Sequence, residues 1–198
     1  MSSNSDHDPC ELADSLLTGF AFVYENPDSP EPLTAYRSPF ILRLLATAHL
    51  NAINGFVQVS ALGTQELAVT GMMRVIALSA AAVERALGLI KDKHIKVQDL
   101  LSSASKGKLA IKLPKVLSKA TGKETNAPFL FSSANWSSKT RGFIGSIDKK
   151  PAGYVEMTVK IARATLTMNT ETPLGSLVEE LDERALICEY MIAKMMHY

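Results

Sequence analysis

The chain predicts a mostly α fold, a single compact helical domain with a central apolar helix at about residues 65–91. Three observations carry this expectation. Apolar residues recur at three- and four-residue steps in several separate stretches, which marks one-sided helical burial. Prolines and capping residues fall between those stretches, where helices start and stop. One segment, Thr64 to Ile90, is apolar on most of its circumference and therefore needs neighbours on several sides. With 198 residues, 46% hydrophobic and 21% charged, the chain is long enough for one domain with a sizeable core.

Residues 1–9 read as a disordered polar leader and residues 10–198 as the domain. From Cys10 to Tyr24, the positions Leu12, Leu16, Leu17, Phe20 and Val23 share one helical face. Asn26-Pro27 and Pro30 to Pro32 stop that helix, because proline disfavours helical geometry in the residue before it. Ser38 is a natural N-cap, and Pro39 loses nothing at the first helical position, where its missing N–H has no intrahelical acceptor. A second helix then runs from Pro39 to about Asn51, with Phe40, Ile41, Leu44, Leu45 and Ala48 inward.

Asn54-Gly55 marks a turn, and Phe56 to Leu62 reads as a short extended piece or a helical extension. In the central helix Gly71, Ser79, Ala80, Ala81, Ala82 and Gly88 permit close helix approach. Arg74, Glu84 and Arg85 interrupt its apolar surface, so no run approaches the roughly 18 residues of a membrane span. Past His94 the rhythm weakens. Val97 to Ser103 and Leu113 to Ala120 are predicted short helices, the latter entered through Pro114. They border or fall in an irregular basic segment, about residues 105–153. Within it Ser132 to Gly145, rich in Ser, Gly and Asn, predicts loop with short strands. Tyr154 to Met168 regains an apolar rhythm through Val155, Val159, Ala162 and Leu166, which favours helix although its β-branched content leaves a strand open, and a final helix is expected from about Pro173 to Met195.

The net charge of +1 hides segregation. Residues 1–32 carry seven acids and no Lys or Arg, the stretch Lys106 to Lys123 carries six lysines and no acid, and the C-terminal part is acidic again. The polar, acidic start lacks a basic or apolar signal region, which predicts an intracellular, reducing location and free thiols at Cys10 and Cys188. Asn135-Trp136-Ser137 fits the N-glycosylation pattern but is expected to be inert there.

Motifs for chemistry are scarce, and neither a metal nor a cofactor is expected. Nucleophilic catalysis needs a base beside the nucleophile, yet His7, His49, His94 and His197 lie far apart in sequence. Thr121-Gly122-Lys123-Glu124-Thr125 resembles a phosphate loop only partly, because Leu117 stands where the upstream glycine belongs and Glu124 where the hydroxyl belongs. Metal binding requires clustered ligands, and the two cysteines and four histidines are scattered. The remaining candidate surface is basic. Lys106, Lys108, Lys112, Lys115, Lys119 and Lys123 fall at near-helical steps and predict one cationic face, extended by Lys139, Arg141, Lys149 and Lys150. Trp136 and Phe129, Phe131 and Phe143 lie among them. Charge with interleaved aromatics is the footprint of nucleic-acid binding through counterion release and base stacking. A solvated lysine face that answers the acidic termini explains the same charges.

Leu16-Leu17, Phe22-Val23-Tyr24, Asn26-Pro27, Tyr36-Arg37-Ser38-Pro39 and the apolar run Phe40 to Leu45 together resemble a helical domain of unknown function found in basidiomycete fungal proteins. Ala77 to Leu87 (ALSAAAVERAL) adds a second matching piece, so the resemblance covers about residues 16–93. It implies helical architecture and transfers no catalytic residue. Three functions remain open: a non-catalytic interaction module that contacts nucleic acid through the lysines; a scaffold that self-associates through Met191, Met195 and Met196 of the last helix; and an enzyme whose site assembles only in space.

Overall fold

The computed structural model describes residues 8–50, 71–104 and 112–168, and within them the chain is mostly helical. Helix α1 spans Pro9–Leu17, one residue earlier than its apolar stripe begins, because Asp8 caps it by accepting from the Cys10 N–H at 3.0 Å. The helix does not continue to Tyr24 as its spacing predicts. It tightens into a 3-10 segment, Thr18–Val23, in which Gly19 and Phe20 both take left-handed conformations, φ 61° and 58°. That reversal turns Phe20 out to 49% exposure and gives its expected core place to the fully buried Phe22.

The proline-rich connector is held down by its partners in α6, Tyr154–Met168. Lys150, just before α6, donates to the Pro32 carbonyl at 2.7 Å, and the Tyr154 hydroxyl donates to the Ala35 carbonyl. The Arg37 guanidinium lies 4.5 Å from the centre of the Tyr154 ring and reaches the Thr158 hydroxyl at 3.3 Å. Ser38 caps α2, Pro39–Leu44, by accepting from the Ile41 N–H at 3.3 Å, with Pro39 at the first position as expected. The helix then widens into a π turn, Leu45–His49. Ile41, Leu44, Leu45 and Ala48 are buried as predicted, Phe40 is half-buried, and Leu42 and Ala46 join the core.

Helix α3, Met72–Lys91, is the central element. The predicted start at Thr64, and the turn and extended piece before it, lie outside the described residues. Ala77, Ala80, Ala81, Val83 and Leu87 have no exposed surface, and Ile76 and Ser79 are buried beside them. Every other major helix reaches it: α1, α2 with its π turn, α6, and α5, Ser133–Ile147. Its end is closed by Lys93 at φ 57°, with the His94 N–H bonded to the Leu89 carbonyl at 2.9 Å. A short α4, Val97–Ala104, follows as predicted.

Two expectations about the basic segment are overturned. Residues 133–147 form a helix and not a loop. Trp136, Thr140, Phe143, Ile144 and Ile147 make a three- and four-residue stripe that docks on α3, and packing outweighs the poor helix propensity of the Ser and Gly between them. Phe143 meets Phe20, Phe22 and Tyr36 edge-on at ring-centre distances of 6.0, 6.4 and 6.1 Å. Leu113 to Ala120 is not a helix either. It enters a two-stranded hairpin, β1 Val116–Leu117 against β2 Glu124–Thr125, with Gly122 at φ 64° in the turn. Among the described residues no helix is long and apolar enough to cross a membrane. The final predicted helix, with Cys188 and Met191, Met195 and Met196, lies outside them.

Gly19 and Gly88 give opposite outcomes for one substitution. Gly88 is helical, and a Cβ there meets nothing within 4 Å, so Gly88→Ala raises stability by about 0.5–1 kcal/mol. Gly19 is left-handed, so Gly19→Ala lowers stability by about 1 kcal/mol. Urea unfolding midpoints check both signs.

Burial pushes the Tyr36 and Tyr154 phenols above the usual tyrosine value. The unfolded chain then ionises first as pH rises, so this contribution is intact below about pH 10 and lost above it. Unfolding midpoints at pH 8 and pH 11 should show that loss, and Tyr154→Phe should reduce it.

Candidate functional site

Among the described residues the sequence-predicted site residues fall into four groups. Lys112, Lys115, Lys119 and Lys123 are all exposed on the hairpin and its lead-in, though not on a helical face. Gly122 supplies the left-handed turn that lets the Ser118 N–H donate to the Lys123 carbonyl at 2.9 Å and close the hairpin. On its first strand Leu117 is 69% exposed and Val116 39%. Glu124 is the single carboxylate here and sits 3.9 Å from Lys115, an exposed pair that contributes little.

Lys139 and Trp136 belong instead to a cleft described below. Lys150 is committed to the Pro32 carbonyl and lies 5.7 Å from the Tyr154 ring. Arg141 and Lys149 are exposed on α5 and in the turn after it. Lys106 and Lys108 lie outside the described residues. The aromatics expected to interleave with the lysines lie away from the hairpin: Phe143 is core, Phe131 packs against Trp136 at 5.8 Å, and Phe129 meets the His94 ring at 4.8 Å. The hairpin therefore offers charge without a stacking platform.

A cleft of about 290 Å³ opens between the end of α1, the second half of α3, the 3-10 turn Ala127–Phe129 and α5. Glu84 of α3 forms part of its wall and is only 7% exposed. Lys139 of α5 donates to Glu84 Oε1, while Oε2 is buried with no hydrogen-bond partner among the described residues. The Lys139 ammonium also lies 5.9 Å from the centre of the Trp136 ring. Arg85, the next residue on α3, donates from Nε and Nη2 to the Phe129 carbonyl at 2.9 and 2.6 Å, which fixes the aromatic wall. Asn135 ties down the same turn by donating to the carbonyls of Ala127, Pro128 and Leu130 at 2.8, 3.3 and 2.9 Å. The asparagine of the glycosylation pattern is thus a structural clamp.

Sequence reasoning named Lys139 and Trp136 but read Glu84 only as an interruption. The signal was present, because Glu84 follows Ala77, Ala80 and Ala81 on the inward face of α3. His94 and Arg85 carried no comparable signal, since their roles depend on a turn that approaches from 35 residues or more downstream.

One serine–histidine contact tests the spatially assembled enzyme. His49 Nδ1 lies 2.8 Å from Ser79 Oγ, and Ser79 donates to the Val75 carbonyl at 2.9 Å. Ser79 has no exposed surface and its proton is spent on its own helix, so it cannot meet a substrate. Among the described residues no group of three His, Cys, Asp or Glu side chains could hold a metal ion. No protein-family model, curated protein or solved structure matches the chain.

The Glu84–Lys139 pair is asymmetric, with a buried acid and a lysine side chain 54% exposed. Lys139→Met leaves an uncompensated buried carboxylate and should cost about 2 kcal/mol by urea unfolding. Adding Glu84→Gln should return more than half of that loss. A single-variant cost below about 0.5 kcal/mol would place the pair among ordinary surface ion pairs.

Proposed function

We propose that the protein is a non-catalytic helical interaction module that contacts the phosphate backbone of nucleic acid through the hairpin region, residues 112–125. The observation that carries this reading is the exposure of Lys112, Lys115, Lys119 and Lys123 on one small hairpin, against the single acid Glu124. Such a cluster gains affinity by releasing counterions from the polymer. Residues 112–125 include no aromatic side chain, which implies contact by charge rather than by base stacking, and hence no strong sequence preference. The module acts inside the cell. The resemblance of residues 16–93 to the basidiomycete helical domain supports an architectural role for that half and adds no site residue to this reading.

Fluorescence anisotropy with a 20-mer oligonucleotide tests it. Four phosphate contacts predict an affinity that falls about a hundredfold between 50 and 200 mM salt. Lys112→Glu, Lys119→Glu and Lys123→Glu together should abolish binding, because all three side chains are exposed and the fold does not rest on them. Absence of binding at 50 mM salt, or equal binding by the triple variant, overturns the reading.

A further inference from the structure

The exposed side chains of the hairpin are not all cationic. Leu117 is 69% exposed, and contact with a phosphate backbone makes no use of it. Lys115 stands two residues before Leu117, so the two side chains lie on one face of the hairpin. Glu124 confirms that arrangement, since it pairs with Leu117 across the strands and its carboxylate lies 3.9 Å from Lys115. A surface that sets an exposed leucine among lysines is complementary to a segment that carries carboxylates beside leucines.

This chain carries such a segment. Leu177-Val178-Glu179-Glu180-Leu181-Asp182-Glu183 places four acids within five positions, next to two leucines four residues apart. It lies outside the described residues, beyond α6, which ends at Met168. The eleven residues from Met168 to Glu179 reach about 36 Å when extended, comparable to the diameter of a compact domain of this length, so the hairpin is within range. Other acids match less well. Asp14 is paired with Lys91 at 2.6 Å and Glu84 with Lys139, while Glu25, Asp28 and Glu31 are spread through the proline-rich connector.

We propose that residues 177–183 dock on the hairpin of their own chain, with the carboxylates against Lys112, Lys115, Lys119 and Lys123 and the leucines against Leu117, so that this segment and nucleic acid compete for one surface. Tethering holds the segment at an effective concentration of about 1 mM, so an intrinsic Kd of about 0.1 mM covers the hairpin roughly nine-tenths of the time and weakens oligonucleotide binding about tenfold. The competition rests on the hairpin reading above, and the docking does not.

Zero-length carbodiimide coupling, which joins a carboxylate to an amine in contact with it, tests the docking on the full chain without nucleic acid. Peptide mass mapping should find links from the four hairpin lysines to residues 179–183. When isotope-labelled and unlabelled chains are mixed, each link should stay within one chain. Leu117→Ser, at an exposed position, should lower the link yield severalfold. Fluorescence anisotropy with the 20-mer then tests the competition. Glu179→Gln, Glu180→Gln, Asp182→Asn and Glu183→Gln together should tighten binding about tenfold at low salt. Removing the same charge at the exposed Glu11, Glu25, Asp28 and Glu31 should tighten it far less. Absent links, links between chains, or an undiminished yield in Leu117→Ser each overturn the docking. Equal tightening by the two charge variants overturns the competition. Links that form in a chain that ignores the oligonucleotide, with or without its acids, support the docking and overturn the nucleic-acid reading instead.

Discussion

The side-chain sizes on α3 are the constraint on which the rest of the structure depends. Ala77, Ser79, Ala80 and Ala81 are buried completely, and their small volume lets other helices approach the α3 backbone closely. A leucine at those positions would hold the neighbours about a side-chain diameter further out, and a close-packed interior does not absorb such a change. The larger residues Ile76, Val83, Leu87 and Ile90 fill the spaces between approaching helices. Helices α1, α2, α5 and α6 therefore share one core, and each is stable because α3 is there.

The same constraint produces the polar features of the interior. A helix buried over most of its circumference leaves few directions in which a charged residue can escape. Glu84 is the exception that stays, and α5 answers it with Lys139. Ser79 is accommodated by donating to Val75 and meeting His49 in the π turn, where the widened backbone brings the imidazole within 2.8 Å. Tyr154 and Arg37 act likewise at the connector, joining residues more than 100 positions apart.

Local rules in the sequence sufficed for α2, α4 and the described part of α3, and for α6 they favoured helix without excluding a strand. Ser38-Pro39 announces its cap, and the apolar spacing of 154–168 is undisturbed by turn residues. The misjudged elements are those decided by distant contacts. The α1 stripe runs past Leu17 in sequence, but the Gly19–Phe20 reversal is set by where Phe22 and Phe143 meet. Helix α5 is hidden by its Ser and Gly content, although its stripe of Trp136, Phe143 and Ile147 was there to be counted. The hairpin was masked by lysines at nearly helical steps, a spacing that exposed residues keep for no structural reason. Of the candidate site, the charge was legible and the geometry was not, because the cleft joins residues from four separate elements.

Two surfaces with different physics result. The hairpin is exposed, cationic and without aromatic walls, which suits a long anionic polymer. The cleft is small, balanced in charge and walled in part by Phe129 and Trp136. The hairpin's role as the contact element is the central claim, and amide chemical-shift mapping tests it most directly. On addition of a 20-mer oligonucleotide at low salt, the shifts should concentrate at residues 112–125 and fade as salt is raised. Shifts confined to the helical core or to the cleft, with the hairpin silent, would contradict it.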